Sequence, residues 1–448
     1  MHIVVIGMGE VGNHLLRVLQ HEDHDIIAVD SSAAKIRHIE EHFDVATIHG
    51  YGASETVLQR AQVAKADLVV AVTDHDEANL IAALASKQSG TTRVIARVQG
   101  MEWGDWDSGV QYGFLGVDVV INPRILVAHE LTRIAASHGA TEVIGLADDR
   151  LQLVQVDVTE ETRNTTKPIA QMSLPKDTLV AAVVREDRLF VPGGVDVLLP
   201  GDRVYLVGLP GAVLEAEDQF SSRREAKRVC IMGGGVVGET LARGLLEEGA
   251  QVLLIERTFK RAEELSAKLA RATVVHGEGT DLELLKEEDV ASYDLFAAVS
   301  SNDEVNLMAA LLAKRIDVTR TACIVQHGDH LDIYRQLGID VALSPRLVAS
   351  DQILRYAREG SVQSLTLLEG GQAEVLEYTA LSGCRAIGLP LHRMNLPRGA
   401  LMTAIVHEGE VRIPTGQDEV AEGDTVIILT TQEARPMVER IFRGRRSY

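Results

Sequence analysis

The sequence predicts an α/β protein with two tandem Rossmann-like domains, each followed by a small α+β domain. Three observations predict this fold: the chain repeats itself, each repeat opens with a glycine-rich turn between an apolar strand and a helix, and each repeat closes with short strands and polar turns. The chain has 448 residues, of which 46% are hydrophobic and 24% charged, a composition typical of globular proteins. Because single cores stop growing at roughly 250 to 300 residues, several domains are expected.

An internal repeat organises the chain. Residues 5–12, VIGMGEVG, recur as residues 231–238, IMGGGVVG. Residues 71–80, AVTDHDEANL, recur as residues 298–307, AVSSNDEVNL. Since a matching Leu-Pro pair and a matching Gly-Asp pair follow in both halves, the repeating unit is larger than one glycine-rich domain. We therefore predict four domains, at residues 1–123, 141–222, 226–346 and 363–448, with a charged linker at 221–228.

The first part of each repeat alternates apolar strands with helices. In the first repeat, strands are predicted at 3–6, 25–29 and 68–72, and helices at 11–19 and 76–85. Strands separated by helices at this spacing form βαβ units and hence a parallel sheet.

The second part of each repeat has a different pattern. Short apolar segments at 179–184, 189–191, 195–198 and 204–208 are separated by polar turns. Such short strands predict a small, β-rich α+β domain.

Each glycine-rich turn has the spacing of a dinucleotide-binding site. An acidic residue, Asp30 or Glu256, ends the strand that follows each GxGxxG motif. In the first motif Gly7 permits a tight turn, Gly9 lets the backbone approach a pyrophosphate, and Gly12 lets helix and strand pack closely. The helix N-terminus supplies free N–H groups and a partial positive charge for the phosphates.

The acidic residues favour one class of nucleotide. Asp30 and Glu256 are placed to accept hydrogen bonds from an adenosine ribose and to repel a 2′-phosphate, which favours NAD(H) or another adenine nucleotide over NADP(H). The alternative is that each carboxylate caps the chain after its strand. Gly52 and Gly279 follow the third strand of each repeat, where the loop borders the adenine in this fold.

Two further positions lie near the crevice of the predicted sheets. Thr73-Asp74 and Ser300-Ser301 follow the fourth strand, and helix capping is an equally open alternative for them. Arg97 ends a strand where a cation could meet a phosphate, whereas Ile324 takes this position in the second repeat. The two sites are therefore expected to prefer different ligands.

Charge and hydropathy exclude other classes of function. The net charge of −21 argues against nucleic-acid binding, because nonspecific affinity for DNA or RNA comes from cations that neutralise phosphates. No run of about 18 apolar residues is present, and the N-terminus lacks the pattern of a signal peptide, so we expect a soluble cytoplasmic chain. The tail arginines either contact anionic lipid or an acidic partner or belong to a solvated end; they are Arg440, Arg443, Arg445 and Arg446.

Neither catalytic residues nor a metal site are predicted. The three cysteines, Cys230, Cys323 and Cys384, form no CxxC pair, and we expect them to be small buried hydrophobic residues. The sequence contains no nucleophile elbow, P-loop, HExxH motif or His/Cys cluster with metal-ligand spacing.

The duplicated motifs carry a resemblance to a known family. With the segments 7–12, 71–79, 233–238, 298–306 and 396–409, the chain resembles the TrkA family of Trk potassium-uptake regulatory proteins over essentially its whole length. That family has tandem RCK/KTN (Rossmann) domains, each followed by an RCK C-terminal domain. The resemblance implies a cytoplasmic homodimer or homotetramer ring, bound peripherally to the inner face of the membrane through a Trk-type potassium channel or transporter subunit. It implies that the ring gates K⁺ flux in response to NAD(H) or ATP/ADP.

The resemblance and the spacing together define two candidate cofactor-binding sites. The first comprises Gly7, Met8, Gly9, Glu10, Val11, Gly12, Asp30, Gly52, Thr73, Asp74 and Arg97. The second comprises Gly233, Gly234, Gly235, Val236, Val237, Gly238, Glu256, Gly279, Ser300 and Ser301. The alternative function is an NAD-dependent oxidoreductase, which would need a domain that positions and protonates a second substrate.

Overall fold

Both glycine-rich parts of the chain fold into parallel sheets flanked by helices in the computed structural model. The model describes residues 1–20, 24–104, 108–147, 149–160, 162, 167–221, 225–357 and 362–442. Its Cα atoms group into two compact units, one formed by Met1–Thr132 and Ala226–Leu354, the other by Arg133–Glu225 and Arg355–Tyr448. Each unit thus combines domains of one kind from both repeats.

The described residues of the first Rossmann domain form seven strands. They are β1 His2–Ile6, β2 Asp25–Asp30, β3 Ala46–His49, β4 Leu68–Ala71, β5 Arg93–Arg97, β6 Val110–Tyr112 and β7 Val119–Ile121. The helices are α1 Glu10–Leu19, α2 Ala33–His42, α3 Glu55–Arg60, α4 Asp76–Ser89 and α5 Pro123–Ala136. The sheet order is β3-β2-β1-β4-β5-β7-β6, and only the pair β6–β7 is antiparallel.

In the first α+β domain, the described residues form an antiparallel sheet and the helix that follows it. Its elements are β8 Glu142–Leu146, β9 Leu151–Asp157, β10 Thr178–Arg185, β11 Arg188–Phe190, β12 Arg203–Gly208 and α6 Pro210–Glu217. The sheet order is β11-β10-β12-β9-β8.

The second repeat has the same layout. Its parallel sheet, in the order β15-β14-β13-β16-β17-β18, is built from β13 Arg228–Met232, β14 Gln251–Glu256, β15 Thr273–His276, β16 Leu295–Ala298, β17 Thr321–Ile324 and β18 Val341–Leu343. The helices are α7 Val236–Glu247, α8 Phe259–Lys268, α9 Leu282–Glu287, α10 Asp303–Arg315, α11 Leu331–Gln336 and α12 Pro345–Ala357. The last domain contains β19 Val362–Leu368, β20 Ala373–Thr379, β21 Ala400–His407, β22 Glu410–Arg412, β23 Thr425–Thr431 and α13 Arg435–Phe442.

The predicted fold class is confirmed. Strand β1 is apolar from Ile3 to Ile6 because helices cover both faces of the sheet, and Ile3, Val4 and Val5 have no exposed surface. The prediction of a strand at 195–198 is wrong. There the Gly193 N–H donates to Asp196 in a turn, Val195 is 86% exposed, and only an isolated bridge forms nearby.

Three smaller features concern the cysteines, the lengths of the helices and the tail arginines. Cys230, Cys323 and Cys384 are buried and unpaired, as predicted, and burial raises the pKa of Cys323 to about 12. No helix among the described residues is long and apolar enough to cross a membrane. Of the tail arginines, Arg440 lies in α13 and the other three lie outside the described residues.

The two Rossmann domains contact each other reciprocally. On one side α1 faces α12, where Glu10 pairs with Arg346 at 2.8 Å and His14 lies 3.9 Å from Asp351. On the other side α7 faces α5, so closely that a Cβ on Gly244 would lie 3.0 Å from Oγ1 of Thr132. The first helix of each Rossmann domain therefore packs on the last helix of the other Rossmann domain.

The two α+β domains share one apolar core. Leu153 and Val207 of the first belong to the same buried cluster as Val375 and Leu429 of the second. A polar contact lies beside this core: the Tyr205 hydroxyl is 3.0 Å from Glu142 and 3.1 Å from Glu369, and burial together with both carboxylates raises its pKa well above the usual value. Neither domain buries its sheet alone.

The α+β domains also differ in one ion pair. Arg185 donates to both carboxylate oxygens of Asp202, at 2.8 and 2.7 Å, whereas His407 contacts Asp424 at the same place in the second repeat. Burial raises the pKa of Asp202, but hydrogen bonds from Arg185 and from the Leu199 N–H outweigh it, so the pKa lies below its ordinary 3.8. The stabilisation is therefore present above pH 3.8 and is lost as pH falls through the lowered value.

We predict that Asp202→Asn destabilises the first α+β domain by about 1.5 to 3 kcal/mol at neutral pH, because the negative charge opposite Arg185 is lost and an NH₂ group replaces one of the two acceptor oxygens. Hydrogen exchange of the β10 and β12 amides measures this change locally. The difference from the unsubstituted protein shrinks as pH falls below 3.8. Asp187→Asn is the matched control, since Asp187 is 98% exposed, and a change beyond about 0.5 kcal/mol there would contradict this account.

Candidate functional site

The first glycine turn is closed by packing on one side and open on the other. Gly7 has a φ of +104°, and a Cβ there would lie 2.7 Å from the Thr73 nitrogen. A Cβ on Gly12 would lie 2.0 Å from the Gly7 carbonyl oxygen, so α1 begins in contact with the turn. A Cβ on Gly9 would meet nothing within 4 Å. The chain therefore leaves its backbone accessible at the position where a dinucleotide fold admits the pyrophosphate.

Asp30 joins the glycine turn to the end of β2. The side chain is 8% exposed, with Oδ2 accepting the Met8 N–H at 2.7 Å and Oδ1 accepting the Ser32 N–H at 2.7 Å. The second contact is the capping role considered as an alternative. Because an ionised carboxylate offers about four acceptor positions, both contacts leave room for a ribose hydroxyl.

An open cleft lies over this turn. Six predicted residues line it: Gly7, Gly9, Asp30, Gly52, Thr73 and Asp74. Lys35, Tyr51 and His75 also line it and were not among the predicted site residues. Lys35 Nζ lies 3.7 Å from Asp30, and the ring of Tyr51 is more than half exposed. The cleft thus combines a carboxylate, a cation and an accessible aromatic face.

The remaining predicted residues of the first site lie elsewhere. Met8 and Val11 are buried, and Gly12 packs beneath the turn. Glu10 points to the second repeat and pairs with Arg346. Each of these shapes the turn or its surroundings and does not line the cleft.

Arg97 is buried at the end of β5, with only 3% of its surface exposed. One terminal nitrogen donates to the Thr73 carbonyl oxygen at 2.8 Å and to Asp74 at 3.2 Å. Burial lowers its pKa, against the opposing effect of Asp74 and Asp76. It does not line the cleft; instead it braces, from below, the loop that does.

A buried asparagine that the sequence reasoning missed holds the same loop. Asn79 has no exposed surface; its Oδ1 accepts from the Thr73 N–H and hydroxyl at 2.8 and 2.7 Å. Its Nδ2 donates to the carbonyl oxygens of Thr73 and Arg97 at 2.9 and 2.8 Å. All four hydrogen-bonding positions of the amide are used, which ties the end of β4 to the end of β5.

The second repeat reproduces this geometry. Gly233 has a φ of +109°, and a Cβ on Gly235 would again meet nothing within 4 Å. Glu256 accepts the Gly234 N–H at 2.8 Å and the Thr258 N–H at 2.7 Å. The longer glutamate therefore makes the same two backbone contacts as Asp30.

Other predicted residues of the second site follow the pattern of the first. Asn306 binds the Ser300 backbone and hydroxyl and the Ile324 carbonyl oxygen. The N-cap residues of α4 and α10 are His75 and Asn302, and the Thr73 and Ser300 hydroxyls accept the backbone N–H groups of these residues at 3.3 Å. The rest of the set is placed as follows: Val237 and Gly238 are buried, Val236 is partly buried, Gly279 packs against Met232, and Ser301 is exposed.

The second glycine turn differs from the first in its charged neighbours. Arg261 donates through Nε to the Gly234 carbonyl oxygen at 2.9 Å and through Nη2 to Glu239 at 2.6 Å. Lys268 also pairs with Glu239, at 3.2 Å. Burial raises the pKa of Glu239, but hydrogen bonds from Arg261 and Lys268 outweigh it and the pKa is lowered. An arginine is therefore fastened across this turn, where the first repeat has Lys35.

Known proteins match the chain along nearly its whole length. The TrkA-N domain matches residues 3–123 and 229–345, and the TrkA-C domain matches residues 153–221 and 375–443. The chain is 33% identical over 452 residues to the Trk system potassium uptake protein TrkA homolog 1 of Methanosarcina mazei, covering 99% of this chain and 100% of the relative. It is 31% identical over 452 residues to the Trk system potassium uptake protein TrkA of Halomonas elongata, covering 99% of both.

A solved structure has the same fold. The GsuK channel bound to NAD matches with a TM-score of 0.62 and 19% identity, covering 98% of this chain and 78% of that chain. At this identity the likeness shows the fold and nothing about the ligands of this chain.

We predict that Asn79→Asp lowers the free energy of unfolding by about 2 to 3 kcal/mol, because a carboxylate would face the carbonyl oxygens of Thr73 and Arg97 with no donor. Urea unfolding followed by tryptophan fluorescence measures this, since Trp103 packs against the core of the first repeat. Asn302→Asp is the control: it makes the same chemical change at an exposed helix N-cap, where both residues cap equally well. Equal stability of the two variants would refute the proposed role of Asn79.

Proposed function

The chain belongs to the TrkA family of Trk system potassium uptake proteins, and from this premise we propose that it is a nucleotide-sensing regulatory subunit that gates a Trk-type membrane potassium uptake system. The observation that carries the proposal is the cleft over the first glycine turn, with Gly9 open to a ligand and Asp30 behind it. In this proposal residues 1–123 and 226–346 are the sensing domains, and residues 141–222 and 363–448 accompany them.

The proposed ligand of the first site is NAD(H), with ATP or ADP as the second candidate. The α1 N-terminus offers N–H groups to a phosphate, and Asp30 retains acceptor positions for a ribose. Tyr51 presents an aromatic face at the end where the adenine of this fold lies. A carboxylate at this position disfavours a 2′-phosphate, which argues against NADP(H).

The two sites are proposed to differ in ligand. Arg261 and Glu239 form an ion pair over the second turn. A phosphate that enters there must therefore replace Glu239 as the partner of Arg261. A diphosphate with high negative charge favours this exchange, since its oxygens can accept the hydrogen bond from Arg261 in place of Glu239. The first turn imposes no such exchange because Lys35 pairs with Asp30 at the looser distance of 3.7 Å.

Regulation needs only a difference in ligand affinity between two arrangements of the protein. A nucleotide that binds one arrangement better shifts the population toward it, by at most that difference in free energy. We propose that the chain assembles as a homodimer or homotetramer ring at the inner face of the cell membrane. There, docking on the potassium channel or transporter subunit converts the shift into opening or closing of that subunit. Regulation of this kind requires the chain to break no bond.

An NAD-dependent oxidoreductase is the alternative. His75, which borders the cleft, is the residue that such an enzyme would use to move a proton. That function predicts a substrate-dependent absorbance change at the nicotinamide band, whereas the regulatory function predicts none.

We predict that Gly9→Ala weakens nucleotide binding at the first site without unfolding the protein. The added methyl group has open space in the free chain but occupies the approach of the pyrophosphate. Calorimetric titration with NADH, NAD⁺, ATP and ADP measures the loss, expected to be at least about tenfold in affinity, or roughly 1.4 kcal/mol. Substitution of Asp30 is a poorer test because it also removes the acceptor of the Met8 N–H.

Gly235→Ala is the matched variant in the second turn, where a methyl group also meets nothing within 4 Å. NADH binding that survives Gly9→Ala and disappears in Gly235→Ala would move the proposed site to the second repeat. Absence of nucleotide binding by the unsubstituted protein would contradict the sensing function altogether.

We further predict that the chain copurifies with a Trk-type membrane subunit and makes K⁺ flux through it respond to nucleotide. In liposomes containing both proteins, the flux with and without NADH or ATP should differ by about 5-fold or more, the usual range of coupling between sites. Gly9→Ala should remain docked and lose the response to the nucleotide of the first site. Flux that ignores nucleotide in both proteins would refute the gating role.

A further inference from the structure

Three side chains with metal-ligating atoms meet at the carboxyl edge of the second parallel sheet. Asp303 opens α10, and His327 and His330 lie in the short loop after β17. One ligand atom of each lies within 4.8 Å of the others. His327 and His330 are exposed and Asp303 is partly buried, so an ion from solvent can reach the group.

The first repeat shows that the fold does not require these histidines. There Asp76 accepts hydrogen bonds from the loop after β5, at 2.8 Å from each of two backbone N–H groups, as its counterpart does in the second repeat. The positions equivalent to His327 and His330 are Gly100 and Trp103. The aspartate therefore binds the backbone of the loop in both repeats, whereas the pair of histidines occurs in the second repeat alone.

His327 also has a carboxylate on its far side. Its Nδ1 lies 3.3 Å from Asp303 Oδ2, and its Nε2 lies 3.7 Å from Oε1 of Glu10 in the first repeat. Glu10 is in turn held by Arg346 at 2.8 Å. A metal-ligating histidine usually directs its second ring nitrogen to such a carboxylate, which fixes the ring and raises its basicity. The position of Glu10 is thus an observation independent of the cluster itself.

We propose that Asp303, His327 and His330 bind a divalent cation of the zinc class, with Glu10 as a positioning residue for His327. Two imidazole nitrogens and one carboxylate oxygen suit Zn²⁺ better than Mg²⁺ or Ca²⁺, which prefer oxygen ligands. Ligands at about 2.1 Å from a tetrahedral ion lie about 3.4 Å apart, a spacing that small side-chain rotations reach from 4.8 Å. Three protein ligands leave a fourth position for water or a further ligand.

The experiment titrates the full-length protein, freed of any histidine tag, with ZnCl₂ by calorimetry and with CoCl₂ by visible absorbance. We expect saturable binding of one ion per chain at this site. His327→Ala and His330→Ala should each weaken it by about 100-fold or more and change the Co²⁺ spectrum. Circular dichroism checks that these variants fold. We expect them to fold because the first repeat has Gly100 and Trp103 at these positions.

Glu10→Gln separates positioning from ligation. It should weaken Zn²⁺ binding by about 10 to 100-fold and leave the Co²⁺ spectrum at saturation unchanged, since the ligand set is retained. Arg346→Gln is its control, because it breaks the same ion pair and keeps the carboxylate. A loss of Zn²⁺ affinity in Arg346→Gln equal to that in Glu10→Gln would overturn the positioning role.

A second histidine pair provides the control for location. His38 and His42 lie one turn apart on α2, with ring centroids 4.3 Å from each other. The double variant His38→Ala/His42→Ala should keep the site at Asp303. Zn²⁺ binding that survives His327→Ala and disappears in this double variant would overturn the proposal, as would an unsubstituted protein that binds no Zn²⁺.

Discussion

The carboxyl edge of each parallel sheet depends on one buried amide. In the first repeat, Asn79 uses both acceptor positions and both donors of its amide to bind the ends of two neighbouring strands. Asn306 does the same in the second repeat. The loop that Asn79 fixes stands against Gly7, where no side chain fits, and Gly7 in turn receives the start of α1. A cleft at this edge therefore has walls whose positions are set by hydrogen bonds below it, before any ligand is present.

The two repeats keep this scaffold and differ in the charges placed on it. Arg97 beneath the first loop has Ile324 as its counterpart, while Arg261 crosses only the second glycine turn. In the α+β domains, Arg185 of the first repeat and His407 of the second occupy equivalent positions, each in contact with an aspartate. The backbone contacts of Asp30 and Glu256 are the same in both. The repeats thus share these backbone contacts and differ in the charged side chains around them.

Sequence patterns predicted the parts that depend on local order. The glycine turns, the acidic residues 23 positions beyond them and the alternation of strands and helices follow from short-range spacing, and the structure has them where they were expected. The prediction of a strand at 195–198 was wrong because its apolar residues lie in a glycine turn whose hydrogen bonds compete with strand pairing. Asn79 was missed because an asparagine within a helix looks like a surface residue until the neighbouring strands are placed.

Contacts between distant segments were beyond such patterns. Glu10 faces Arg346 of the other repeat, and a helix and a strand, α10 and β17, lie between Asp303 and His327, so neither pair has a fixed spacing that a motif would reveal. The common core of the α+β domains is a similar case, because each sequence taken alone fits an independent domain. What the sequence lacked was information on which surfaces face each other.

That common core has a consequence for the newly made protein. Its two halves are separated by an entire Rossmann domain, so the ribosome completes residues 133–225 well before residues 355–448 exist. At roughly 5 to 20 residues per second, the first α+β domain waits on the order of 10 to 40 seconds with an apolar face uncovered. During that interval the nascent chain is a substrate for holdase chaperones and proteases, and translation speed becomes a determinant of yield.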